Sequence, residues 1–246
     1  MPKKDTNLKA ASNAKRFLDA YNNIDYALKV RYDLNRSMGF SELIRKAVVL
    51  NYIVRKNEDA LVDYGRLRNA IIHNSNEDVI IAEPHDSVVE DIERIEKLLT
   101  TPPKALDSVA HRDVLAVDGN KSMYDIITLM ADSNYSNIPV YSGDTLIGVA
   151  NGQKMLEGLG HYLLSGGKSE VFLKNVKIED MLSSVKSTYY TVADAEITVE
   201  EALNEFHNNP KLLAILITKD GKSSQKPLGI VTGGDVMDMN KIMELY

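Results

Sequence analysis

Gly229-Ile230-Val231-Thr232-Gly233-Gly234-Asp235 and Gly148-Val149-Ala150-Asn151-Gly152-Gln153-Lys154 are two versions of one string, 81 residues apart. Each follows an apolar stretch and leads into an expected helix. The later version sets a hydroxyl and a carboxylate three residues apart, and the earlier one sets an amide and an ammonium there. A scaffold that repeats while its polar groups change points to a paired ligand-binding module with unequal sites.

The repeat extends outward from both strings. Ser122-Met123-Tyr124-Asp125 and Thr198-Val199-Glu200-Glu201, 76 residues apart, each place a hydroxyl three residues before an acid, the sequence form of a capping box at a helix start. Apolar runs follow, Ile138–Tyr141 in the first copy and Leu212–Ile217 in the second. Each run reaches a turn, Ser142-Gly143-Asp144 or Lys219-Asp220-Gly221, and then a second strand, Leu146–Val149 or Leu228–Val231. The spacing grows from 76 to 81 residues around Lys222-Ser223-Ser224-Gln225, a hairpin loop where insertion is tolerated. Strand, helix, two strands and helix is the repeating unit.

With Val176-Lys177-Ile178-Glu179-Asp180-Met181 leading into the second copy and Ile138-Pro139-Val140 in the first, residues from about Asp107 to Tyr246 resemble a tandem pair of CBS domains, the Bateman module. The 229–235 string is close to that family's Gly-apolar-apolar-Thr-x-x-Asp signature. The resemblance implies an adenine nucleotide or other adenosine compound as ligand, with Thr232 on phosphate or ribose and Asp235 accepting from ribose hydroxyls. Elementary chemistry agrees. A carboxylate suits a vicinal diol, a helix start offers free N–H groups to phosphate, and Gly233 and Gly234 allow close backbone approach. Gly229 and Ile230 belong to the same expected site. Tyr190 and Thr191 stand where the family's first strand lines the base pocket. The plainer reading makes Thr232 an N-cap and the glycines a turn, which leaves Asp235 only a favourable first-turn charge. In the first copy an ammonium cannot accept from a ribose, so Asn151 and Lys154 mark a site that is empty or retuned towards phosphate, with empty the favoured reading.

The first hundred residues read as helices. Phe17, Tyr21, Ile24 and Leu28 recur at helical spacing within residues 7–32. A second helix is expected from Ser41 as N-cap through Ile53, a third from Asn57 through Asn74, and a fourth opened by a capping box at Ser87-Val88-Val89-Glu90. Thr100-Thr101-Pro102-Pro103 ends the bundle in an extended linker. The expected fold is α+β: a helical bundle over 1–100, a linker over 101–106, and β-α-β-β-α repeats over 107–175 and 176–246.

Arg68-Asn69-Ala70-Ile71-Ile72-His73 resembles the Arg-x4-6-His motif of HEPN domains, helical bundles that include metal-independent ribonucleases and non-catalytic nucleotide binders. That resemblance implies His73 as general acid or base, Arg68 on phosphate charge, and Asn69 orienting them. Residues five apart on an ideal helix lie about 140° apart, so Arg68 and His73 share no face, whereas Asn69 and His73 do. Arg68 would meet His73 only near a frayed helix end or across a two-fold dimer.

Composition narrows the classes. The chain has no cysteine, which excludes disulfides, thiolate metal sites and cysteine nucleophiles and fits a reducing cytoplasm. No secretory signal and no apolar run of membrane-spanning length is visible, and the scattered histidines lack metal-ligand spacing, so no metal and no membrane are expected. Residues 1–73 hold 14 Lys and Arg against 8 Asp and Glu, a basic excess that reads either as solvated helix faces or as favouring an anionic partner; RNA is the partner that the HEPN resemblance implies. Gly166-Gly167-Lys168-Ser169 mimics the end of a P-loop, but position 162 is Tyr162 where a glycine is needed, and the stretch reads as a flexible loop between the copies.

The expected function is a cytoplasmic, homodimeric regulatory sensor. Its CBS pair binds an adenosine ligand, requires no cofactor, and modulates a HEPN-like bundle. A ligand-regulated metal-independent ribonuclease and a non-catalytic dimeric scaffold remain the alternatives, so enzyme or binder stays open at the level of sequence.

Overall fold

A computed structural model describes residues 12–73, 83–183 and 189–245. The chain forms two compact units, Met1–Pro102 and Pro103–Leu245.

The first unit is helical. Ser12 caps α1 (Asn13–Arg31) through the backbone N–H of Lys15, and the helix buries Phe17, Tyr21, Ile24 and Leu28 as one stripe. Two short helices, α2 (Phe40–Ala47) and α3 (Tyr52–Lys56), lead to α4 (Glu58–His73) and then α5 (Asp86–Thr100). The pairs Asn13–Asp86, Arg16–Glu93 and Asn23–Glu96 climb both helices together, so α5 runs parallel to α1. Full burial of Phe17, Ile24, Leu28, Ile92 and Ile95 makes this seam the unit's core, each side chain contributing roughly 1.5–3 kcal/mol.

One expected helix is broken in two and two expected helix starts move. The apolar run through Ile53 is broken because Asn51, fully buried, accepts from Val54 N at 2.9 Å and donates to the Tyr32 hydroxyl, starting a separate helix. The second helix is capped at Gly39 without a side-chain bond, so Ser41 lies inside it. The last begins at Asp86 behind His85, whose ring accepts from Ser87 N, so the anticipated Ser87 cap is already within the first turn.

The second unit holds the repeat. After α6 (Ala105–Ser108), the first copy runs β1 (Val117–Asp118), α7 (Met123–Ser133), β2 (Asn137–Ser142), β3 (Thr145–Asn151) and α8 (Gly152–Leu164). Then come α9 (Ser169–Asn175) and α10 (Ile178–Ser183). The second copy runs β4 (Tyr190–Ala193), α11 (Val199–Asn208), β5 (Ala214–Ile217), β6 (Gly229–Thr232), a 3-10 turn at Gly233–Asp235 and α12 (Val236–Leu245). Both sheets have the same order and sense, a parallel pair followed by an antiparallel one. Both anticipated capping boxes form, Ser122 with Asp125 and Thr198 with Glu201. Of the stretch expected to be a loop, Gly166–Lys168 lie between helices and Ser169 already belongs to α9, which α10 follows.

The two copies exchange their leading segments. Val176 O accepts from Met123 N, and Ile178 N donates to Lys121 O, so the 176–181 motif packs on the first copy, where Ile178, Met181 and Leu182 join Ile126 and Val140 in one core. Reciprocally, Pro103 O accepts from Val199 N at 2.8 Å, Ala105 N donates to Ile197 O, and His111 exchanges two 3.0 Å backbone bonds with Ile230. The stretch after the double proline is therefore strapped to the second copy. Between the sheets, Leu146 and Val149 of the first copy pack with Tyr189, Ala214, Leu216 and Ile230 of the second.

Candidate functional site

The strap brings a distant segment onto β6. Gly229 allows it: a Cβ there would stand 2.9 Å from the Leu106 side chain and 3.1 Å from that of Ala110. With the backbones this close, His111 pairs with Ile230 and its ring arrives beside Asp235, 124 positions away in sequence.

Both oxygens of Asp235 are engaged. Its Oδ2 accepts from Thr232 N at 2.7 Å and from the Thr232 hydroxyl at 2.9 Å, while Oδ1 lies 3.0 Å from His111 Nε2. Thr232 is the N-cap and the glycines form the turn, as in the plainer reading, and Asp235 adds to its first-turn charge the role of capping-box partner that closes the turn into α12. Its side chain is 13% exposed, against 55% for His111.

Next to this turn lies a cavity of about 290 Å³, with Thr232, Ile230, His111, Asp113, Tyr135 and Asn137 among its walls, near the lower end of small-molecule sites at roughly 300–1,000 Å³. Tyr135 is exposed enough to offer a flat aromatic face. The wall can therefore supply stacking, hydroxyl and amide bonding, and carboxylate acceptors.

Other anticipated site residues fall elsewhere. Tyr190 and Thr191 stand on β4, with β5 between them and Thr232. Neither is a wall of this cavity, and burial raises the Tyr190 phenol above its ordinary value. Gly233 meets nothing within 4 Å of an added Cβ, so the fold's own packing demands glycine at 229 rather than at 233. His111, Asp113, Tyr135 and Asn137 were not legible as site residues. The only signal was register, since they belong to the segments before and within the first copy that face the second copy's strand.

The polar groups of the first copy's string are held in internal bonds, although Lys154 also borders a cavity of about 620 Å³ with Glu157, His161 and Tyr162. Asn151 is 7% exposed and caps α8 by accepting from Lys154 N at 3.1 Å. Its amide donates to Asn137 Oδ1 at 2.8 Å and Ser136 O at 3.4 Å. Lys154 pairs with Glu157 at 2.8 Å, a hydrogen bond that lowers the Glu157 carboxyl below its usual range.

In the helical unit, the Arg68 guanidinium lies over the Tyr21 ring at 5.9 Å, reaches Asn69 Oδ1 at 3.3 Å, and buries Nε without a partner among the described residues. Burial pushes the Tyr21 phenol up to about 12, with Arg68 opposing. Arg68 is thus turned onto α1, while the His73 side chain lies outside the described residues. Among the described residues no cluster of side chains could hold a metal ion, and no helix is long and apolar enough to cross a membrane.

Several solved structures are similar in fold. A signal-transduction protein with CBS domains from Burkholderia ambifaria MC40-6 is 17% identical, with 56% of this chain and 92% of that one covered at a TM-score of 0.43. CBSX2, solved in complex with AMP, is 18% identical over 58% and 98% of the two chains, TM-score 0.43. The CBS pair of MJ0100, solved with 5′-methylthioadenosine and S-adenosyl-L-methionine, is 13% identical over 57% and 97%, TM-score 0.43. No match to the chain was found among curated proteins. Residues 106–158 and 182–240 each match the CBS domain, in the places where the structure shows the two copies of the fold. The C-terminal unit thus carries two stretches that are each similar to the CBS domain.

Proposed function

We propose that the CBS pair binds an adenosine compound at the second copy alone, and that the helical unit is the output it regulates. One observation carries the reading: the Thr232–Asp235 turn borders a cavity of small-molecule size, whereas Asn151 and Lys154 are committed to internal bonds. In the bound complex Asp235 accepts from the ribose diol, Thr232 Oγ1 meets ribose or phosphate, and Tyr135 stacks on the base. A ligand that binds only the folded protein stabilises it by mass action, by about 2.7 kcal/mol at a hundredfold excess over Kd. Thermal denaturation of the full chain with adenosine, AMP, ATP and S-adenosylmethionine tests this. At least one compound raises Tm by roughly 5–10 °C at that excess, and Asp235→Ala abolishes the rise. A chain whose Tm none of them moves, or a rise that survives in the variant, refutes the site.

A further inference from the structure

Asp235 presents an acceptor count that the ribose reading has to meet. An ionised carboxylate has about four lone-pair positions. Two on Oδ2 are taken by the Thr232 N–H and hydroxyl, and one on Oδ1 by His111. Since the carboxylate only accepts, His111 Nε2 must carry the proton of that bond. One position remains, and a vicinal diol that donates twice needs two.

The bonds differ in how easily they yield. Those from Thr232 are built into the turn, one of them from the backbone itself. His111 holds its place through its main chain, whose two bonds to Ile230 are independent of the ring. The ring is more than half exposed, and among the described residues Asp235 is its sole hydrogen-bonding partner. Rotation about the side chain would therefore release Oδ1 without disturbing the strap.

We infer that His111 is a specificity-determining competitor: its ring and one ribose hydroxyl contend for the same lone pair of Asp235, so that a ligand with both hydroxyls binds by turning His111 out. The inference rests on the adenosine reading above. A ligand offering a single hydroxyl fits the one free position and leaves His111 where it is.

Titration calorimetry of the full chain with adenosine and with 2′-deoxyadenosine, for the native protein and the variants His111→Ala and His111→Gln, tests it. Removing the imidazole should tighten adenosine binding on the order of tenfold, the low end of what one hydrogen bond to a charged group is worth, and leave 2′-deoxyadenosine nearly unchanged. His111→Gln, which restores an N–H donor, should return adenosine affinity towards the native value. If His111→Ala binds adenosine no better or more weakly, His111 supports the ligand and the inference is overturned while the adenosine site stands. Equal gains for both nucleosides would indicate a loosened cavity, and overturn it too. If neither the native chain nor either variant binds a nucleoside, the site assignment itself falls and the competition with it.

Discussion

The two copies enter their second helices by opposite routes. In the first, Asn151 at the strand end reaches forward to Lys154 N. In the second, Asp235 in the turn reaches back to Thr232 N. Both solve the same problem, an orphan N–H at a helix start. The forward cap leaves a neutral amide whose remaining donors turn inward, to Ser136 and Asn137, and the position is buried. The backward cap leaves a charged acceptor beside a cavity and a hydroxyl in its wall. The two caps, one leading directly into α8 and the other through a 3-10 turn into α12, thus leave different polar groups at the same point of the repeat.

The largest break in that comparison comes from Asp235→Ala. Two carboxylate–hydroxyl bonds to ribose are lost, each worth about 1.5–3 kcal/mol, so adenosine affinity falls roughly hundredfold or more by calorimetry. Stability also drops, because Thr232 N loses its partner. The reciprocal change, Asn151→Ala, acts mainly on folding. It strands the partly buried Asn137 Oδ1 and Lys154 N, for a loss of about 1–2 kcal/mol in denaturant unfolding. Since Ser136 and Asn137 also line the cavity of the second copy, adenosine binding weakens as well, which would show that the closed string buttresses the open one. Unchanged stability would mean that Asn151 is no joint.

How much of this could be read from residues follows a physical line. The capping boxes, apolar runs and hairpin insertion are local patterns, and each lies where the repeat places it. Thr232 and Asp235 have the same hydroxyl-and-acid spacing as the two capping boxes, and they close their turn in the same way. The exchange of leading segments was invisible. Nothing around His111 announces a partner 124 positions away, and the 176–181 motif precedes the second copy while folding onto the first. Asn51 misled for a different reason. A buried asparagine inside an apolar run breaks a helix only because Tyr32 supplies a partner for its amide, which no window of sequence contains.

Gly229→Ala probes the strap that makes the copies unequal. The new methyl can push aside the flexible end of Leu106, but the Ala110 Cβ at 3.1 Å is fixed to the backbone, so the 106–111 segment must shift off β6. Overpacking of this kind costs about 1–3 kcal/mol. The His111 ring signals in an NMR spectrum should move with it, as the contact to Asp235 loosens. A variant with native stability and an unmoved His111 would show that the close approach is incidental.

The smallest effect separates the two readings of the first copy. Lys154 and Glu157 form a partly exposed pair three residues apart on α8, the kind that contributes little to stability. Lys154→Ala should shift Tm by no more than about 1 °C, and the Glu157 carboxyl should titrate closer to its ordinary value once the hydrogen bond that lowers it is gone. The decisive readout is AMP. If the ammonium were a phosphate ligand, its removal would weaken AMP binding while sparing adenosine, which has no phosphate to lose. Equal affinities of native chain and variant for both compounds are expected, because Lys154 already has an internal anion and Asn151 is buried with its amide donors turned inward.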